Sequence, residues 1–302
     1  MPQRVQLVEV GPRDGLQNEA AVLSTEDKLA FIERLVVAGC KRIEVTSFVH
    51  PRWVPQMADA GSLYAQLPRH EGVRYSALVP NVRGMHAALD AGVQEVAVFC
   101  AASETFNRKN VNRGVEASFA EIARVAGLAR QERVPVRGYL STCFGCPYEG
   151  AVRAERVAEL SSRLVALGCY EVSISDTVGV ATPGDVERVL DAVLQRLGVT
   201  TLALHFHDTR GTALANIVRA LDLGVGVFDG AAGGVGGCPF APGAAGNVAS
   251  EEVLYVLGGM GIETGISLKK MLTAARFLET LLDKTLPSRL LHSPDTPARS
   301  ID

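Results

Sequence analysis

Eight short apolar runs, each followed by a longer segment of helical spacing, constrain this chain more than any other feature. The runs are 4–10, 42–46, 73–79, 94–100, 134–140, 170–175, 200–206 and 225–229. Between them lie helix candidates near 24–38, 54–66, 81–91, 116–132, 150–167, 182–197 and 211–222, with 247–258 and 267–283 after the eighth run. Local signals agree with the alternation. Leu29, Ile32, Leu35 and Val36 recur at helical spacing. In Thr182-Pro183-Gly184-Asp185 the threonine suits a helix cap, the proline the first turn and the aspartate its positive end. Gly39, Gly92, Gly168, Gly198 and Gly224 stand where helices stop before the next strand. A helix stop followed by a strand repeats at 38–45, 91–98 and 167–174.

Eight strand–helix units imply an α/β fold, a (β/α)8 TIM barrel with a short C-terminal helical extension. An open doubly wound sheet is the rival, but it usually has fewer units. Its phosphate fingerprint is also absent: the first run is followed by Gly11-Pro12-Arg13-Asp14-Gly15, not G-x-G-x-x-G. Residues 1–283 read as a single catalytic barrel domain. Residues 284–302, with three prolines and scattered charges, read as a flexible tail.

Composition narrows the function classes. Hydrophobic residues make up 47% and charged residues 21%, enough for a packed core. The net charge of −3, without a basic run, gives no reason to expect nucleic acid as a partner. No apolar stretch reaches the roughly 18–20 residues that span a bilayer. The first run begins almost at once, so no leader is expected and the cytoplasm is the default location. The six cysteines do not imply disulfides in such a chain. The C-x-x-C at Cys143 and Cys146 has no second pair, so a structural role is expected rather than zinc or redox chemistry.

In a barrel, catalytic side chains gather at the carboxyl ends of the strands. There the sequence places Arg13-Asp14, Glu44 and Thr46, then Ser103, Glu104 and Asn110. Tyr139, Ser141, Asp176 and His205-Phe206-His207-Asp208 follow. On a strand, positions i and i+2 face the same side, so His205 and His207 are expected to point together. Such a pair, aimed into the same mouth as Asp14, suits a metal, although a hydrogen-bonded pair without a ligand is the alternative. Arg13 is open to a structural pairing with Glu44 or Asp176, to presenting its fork to a substrate oxygen, or to both. Glu44 suits orienting Arg13 or a histidine. Asp176 either holds a histidine or caps the next turn. Cys238 lies among five glycines within 233–243, flanked by Pro239 and Pro242. A thiol in such a loop suits proton transfer better than an inert role.

These stretches together resemble the 3-hydroxy-3-methylglutaryl-CoA lyase family. The carrying segments are Val10–Glu19, Ile43–Val49, Trp53–Asp59, Arg137–Tyr139, Gly145–Gly150 and Gly168–Val172. To these are added Asp176-Thr177, His205–Thr209, Gly236–Pro239 and Gly246-Asn247. The arginine–aspartate and His-x-His elements are shared with a wider superfamily of barrel aldolases and Claisen-type synthases; Gly-Gly-Cys-Pro narrows the match. The resemblance implies a divalent metal, Mg2+ or Mn2+, held by Asp14, His205, His207 and Asn247. It implies catalytic roles for Arg13 and Cys238, with Glu44 and Asp176 in support. His205 or the Asp14 side is the candidate base. Asn110 is placed near the CoA, and Tyr139 is a further candidate for cofactor binding. A homodimer acting on a small-molecule acyl-CoA in leucine degradation follows from the same resemblance.

The chain departs from the family pattern at three places. Ala20 stands where a lysine is frequent, Gly230-Ala231 where a serine follows the aspartate, and Arg210 where the residue is commonly uncharged. The small residues at 230–231 are expected to widen the acyl pocket. A longer-branched 3-hydroxyglutaryl-CoA or citramalyl-CoA is therefore an alternative substrate. A keto-acid aldolase or Claisen-type synthase of the superfamily is the next reading, and a non-catalytic CoA- or metal-binding barrel the last.

Overall fold

The structure is a computed structural model and describes residues 1–237 and 246–294. Eight parallel strands close into a barrel in sequence order. They are β1 (Gln6–Glu9), β2 (Arg42–Ser47), β3 (Arg74–Leu78) and β4 (Glu95–Ala101), then β5 (Val136–Ser141), β6 (Cys169–Asp176), β7 (Leu202–Phe206) and β8 (Val227–Gly230). The seam is β1 against β8, with Gln6 opposite Val227 and Glu9 opposite Gly230. Closure leaves no open edge.

The helices form the outer layer: α1 (Thr25–Ala38), α2 (Ala60–Gln66), α3 (Val82–Asp90), α4 (Glu104–Val111) and α5 (Val115–Gln131). Then come α6 (Ala154–Ala166), α7 (Pro183–Leu194), α8 (Ala213–Asp222), α9 (Ser250–Gly259) and α10 (Leu268–Leu282). Helix α1 shows why they form. The Ser24 side chain accepts from the Asp27 N–H, and Gly39 ends the helix at φ 108°. Between the caps, Phe31, Ile32, Leu35 and Ala38 are buried on one face. Leu35→Ala would cost about 2–5 kcal/mol through the void it leaves. The expected cap at Thr182 is present and is completed as a capping box, with the Asp185 carboxylate accepting from the Thr182 N–H.

The expected strands match within two residues; the helices differ more. The 54–66 segment divides into a short turn, Pro55–Met57, and α2. Helix α4 was not expected. The 150–167 helix starts at Ala154, because Cys146 and Gly150 exchange backbone hydrogen bonds and turn the chain first. No helix among the described residues is long and apolar enough to cross a membrane.

The expected tail from 284 needs correction. Leu286 and Leu291 are buried, and Lys284 Nζ meets both Glu19 carboxylate oxygens at 2.6 and 2.7 Å. Residues 284–294 are therefore docked; 295–302 lie outside the described residues.

A ladder of charge runs through the strands beneath the site. Arg42 grips Glu171 with two nitrogens, at 2.8 and 3.1 Å. Arg137 donates to Glu171, to the Tyr139 hydroxyl and to Asp229, at 2.7, 2.6 and 2.7 Å. Ser173 completes Asp229 at 2.9 Å. Each buried charge thus meets a partner, the condition for keeping it in a low dielectric.

Candidate active site

The site begins where β1 ends. The Val10 carbonyl accepts the N–H groups of Arg13, Asp14 and Gly15, forming one π-helical turn over Gly11–Gly15. Glu9 anchors that turn. Its Oε1 accepts from Gly11 N and Ala232 N, both at 2.9 Å, and its Oε2 accepts from Ser250 Oγ at 2.6 Å. Residue 15 must be glycine, because a Cβ there would overlap Val235. The turn brings Arg13 and Asp14 to the barrel mouth. Arg13 Nε donates to Glu44, and its Nη1 lies 2.5 Å from Asp14 Oδ1. Of the pairings open in the sequence, Glu44 is the one seen. Glu44 sits beside a register shift in β2, a bulge of the kind that re-aims side chains.

His205 lies in β7, and His207 just follows it. Their rings face the same cavity with centroids 5.2 Å apart, while Phe206 turns away onto Phe144. His205 Nε2 lies 3.9 Å from Asp14 Oδ2, and its Nδ1 makes an ion-pair contact of 3.3 Å with Asp229. One ligand atom from each of Asp14, His205 and His207 falls within a 4.8 Å cluster. Asn247 joins them: its backbone bridges His207, and its Nδ2 donates to Asp14 Oδ2 at 2.9 Å.

Buried polar atoms ordinarily find partners. Here His207 Nδ1 and Asn247 Oδ1 are buried with none. Electrostatics favour ligation. Burial pushes the Asp14 carboxyl up, but Arg13 and the two histidines hold it at about 2. Burial, with His205 beside it, pushes His207 down to about 3, leaving a neutral imidazole. An ionised carboxylate, imidazoles and an unpartnered amide oxygen fit a divalent cation.

The cavity above this cluster holds about 630 Å³. Arg13, Asp14, Tyr139, His205 and His207 line it. His50, Trp53, Lys109, Asn110 and Arg113 line it too. Asn110 and Tyr139 therefore both reach the cavity.

Asp176 differs from its expected catalytic place. Its carboxylate accepts from Val180 N and Ala181 N, at 3.0 and 2.9 Å, and does not line the cavity. Only its backbone carbonyl meets a histidine, accepting the His207 N–H at 3.3 Å; its side chain takes the turn-capping alternative. Gly230 and Ala231 do not widen the cavity either. A Cβ on Gly230 would meet Ser250 Oγ at 2.8 Å and Leu7 Cδ1 at 3.3 Å, behind the barrel wall. Arg210 donates to the Val178 and Gly179 carbonyls, at 3.0 and 2.9 Å. Ala20 is exposed and away from the cavity. Cys238 lies outside the described residues; Gly237 before it lines the cavity. Cys143 and Cys146 are buried free thiols, bound to the Leu140 carbonyl and the Ser103 hydroxyl.

No role for Arg137, Glu171 or Asp229 follows from the sequence motifs. The available signal was a charged residue inside an apolar strand, as in Val136-Arg137-Gly138-Tyr139-Leu140. Such a residue must be paired in the folded state.

Comparison with known proteins places this geometry. The HMGL-like family model matches residues 4–278. The hydroxymethylglutaryl-CoA lyase YngG of Bacillus subtilis is 50% identical over 290 residues, covering 96% of this chain and 97% of that one. A crystal structure of the HMG-CoA lyase of Bacillus subtilis superposes with a TM-score of 0.95 at 50% identity, covering 96% and 98% of the two chains. An Acinetobacter baumannii HMG-CoA lyase, solved with coenzyme A and 3-methylmalate, gives 0.93 at 35% identity, covering 98% and 97%. With match and fold agreeing along nearly the whole length, the chain belongs to the HMGL-like family of hydroxymethylglutaryl-CoA lyases.

Proposed function

We propose that this chain is a divalent-metal-dependent lyase that cleaves 3-hydroxy-3-methylglutaryl-CoA to acetoacetate and acetyl-CoA. The observation that carries this reading is the Asp14–His205–His207–Asn247 cluster, with His207 Nδ1 and Asn247 Oδ1 buried and unpartnered, beside a cavity that Asp14, His205 and His207 line. Mg2+ or Mn2+ held by these four residues would favour ionisation of the substrate's tertiary hydroxyl.

The chain's own groups handle the rest. His205, between Asp14 and Asp229, or Asp14 itself, takes the hydroxyl proton. As the deprotonated oxygen forms the ketone of acetoacetate, the adjacent carbon–carbon bond breaks and its electron pair passes to the thioester as an enolate. Arg13, fixed by Glu44 and Asp14, presents its positive charge to the enolate oxygen. Burial lowers a guanidinium's basicity, but the two carboxylates outweigh that and keep Arg13 charged. Cys238 returns a proton to the enolate carbon, a role that rests on the family resemblance. Tyr139, which lines the same cavity, is a further candidate for substrate contact.

Lys109, Arg113 and His50 suit the phosphates of a CoA tail, with Asn110 beside them. The Acinetobacter relative with coenzyme A bound supports an acyl-CoA substrate. We extend the reading to a cytoplasmic homodimer serving leucine breakdown, on the same family grounds. The test is to incubate the Mg2+-loaded protein with 3-hydroxy-3-methylglutaryl-CoA and, separately, citramalyl-CoA. Acetoacetate and acetyl-CoA from the first are expected. Turnover of citramalyl-CoA alone would keep the chemistry and reject the substrate.

A further inference from the structure

Residues 284–294, which the sequence suggested were loose, reach the back of the metal cluster. The contact is made by Arg289. Its Nη1 lies 3.0 Å from Asp208 Oδ2 and 3.3 Å from Glu252 Oε2, and its backbone N–H donates to Glu252 Oε1 at 2.6 Å. Both carboxylate side chains are nearly buried, at 7% and 8% exposed, whereas the Arg289 side chain is 64% exposed. Among the described residues, no other cation pairs with either carboxylate.

Asp208 directly follows His207. Its Oδ1 accepts from Ala213 N at 3.0 Å, at the start of α8. Its own N–H donates to the Gly246 carbonyl at 2.7 Å, immediately before Asn247. One aspartate thus braces the segments bearing two candidate metal ligands. The strap braces a third segment too. Ser288 N donates to the Gly233 carbonyl at 3.2 Å, and Leu286 packs directly on Gly233, where an added Cβ would press against its side chain.

We propose that Arg289 is a positioning residue for the metal centre: by pairing with Asp208 it holds His207 and Asn247 in ligating register. This rests on the metal reading above. Partners that orient ligands from behind typically contribute about 10–100-fold to metal affinity. The guanidinium is largely in water, so the lower end of that range applies.

The test compares Arg289→Gln, Arg289→Lys and Lys284→Gln with the unaltered protein. Lys284→Gln removes another of the strap's anchors, the pair with Glu19, without touching Asp208. Mn2+ affinity is read by electron paramagnetic resonance of the free ion, and kcat and KM are measured under saturating and limiting Mn2+. Arg289→Gln is expected to weaken Mn2+ binding on the order of tenfold. Its kcat should recover at saturating Mn2+, with KM for the acyl-CoA little changed. Arg289→Lys should restore part of the affinity, and Lys284→Gln should leave it intact. Unchanged Mn2+ affinity in Arg289→Gln, even with lowered thermal stability, would overturn the proposal. So would an equal loss in Lys284→Gln, which would assign the effect to strap docking in general. Failure of the unaltered protein to bind Mn2+ would instead overturn the metal reading itself.

Discussion

Asn247 Nδ2 donates to Asp14 Oδ2 across 2.9 Å, although the two residues are 233 positions apart in the chain. This bond joins the turn after β1 to the segment before α9, and Gly236 packs against both. At Gly236, φ is 111°, and a Cβ would fall 2.9 Å from Asn247 Nδ2 and 3.2 Å from Gly15 Cα. Gly236→Ala therefore sets backbone strain against the ligand geometry. A stability loss above roughly 1 kcal/mol is expected, together with weaker Mn2+ binding. Urea denaturation and Mn2+ titration measure the two; unaltered metal affinity would show that this packing does not set the site.

Arg137 supplies a buried charge to both Glu171 and Asp229. Arg137→Met leaves those carboxylates short of a partner. A loss of about 3–5 kcal/mol is expected, as for breaking a buried pair, and equilibrium denaturation reads it. Asp229 also faces His205, so metal affinity should fall as well. A neutral result in both would mean that Arg42 and His205 suffice to neutralise the ladder.

Glu9 gives the fold a pH signature. Burial raises its carboxyl from 4.5 to about 7, against the Ser250, Ala232 and Gly11 donors that lower it. The folded protein therefore holds a proton that the unfolded chain has released across that window. The associated stability is fully present below pH 4.5 and is lost as pH rises through 7. The stability of the unaltered protein minus that of Glu9→Gln should fall between these limits, by about 3 kcal/mol at most. Urea midpoints at several pH values measure it. A difference that rises with pH would contradict the assignment.

Cys238→Ala separates chemistry from binding. On the proposed role of Cys238 as proton donor, its loss is expected to lower turnover by roughly 10²–10⁴-fold, with Mn2+ still bound. Loss of Mn2+ together with turnover would mean that the thiol serves the metal site rather than the enolate.

The sequence made the barrel legible because its signals are local: strand-length apolar runs, helix stops at glycine and caps such as Thr182. The His205–His207 pairing was legible too, since a strand fixes which way i and i+2 face. What escaped was set by contacts distant in sequence. Asp176 could be read as a histidine partner or a cap, and only the position of the Val180 and Ala181 N–H groups shows the cap. Gly230 was expected at the acyl pocket, but the barrel wall turns its open side toward Ser250. The segment after α10 has proline and charge typical of a loose end, yet it docks through Leu286, Leu291 and an arginine whose partners come from other elements. No local pattern announces the Arg137 ladder beyond the oddity of a charge inside a strand.

The most direct measurement is the turnover of 3-hydroxy-3-methylglutaryl-CoA by metal-stripped protein, before and after adding Mg2+ or Mn2+, following acetoacetate and acetyl-CoA together. No product without metal, and equal amounts of both products once it is restored, is the expected result. Full turnover by the stripped protein, or bound metal without cleavage, would contradict the reading of Asp14, His205, His207 and Asn247 as the heart of a carbon–carbon lyase.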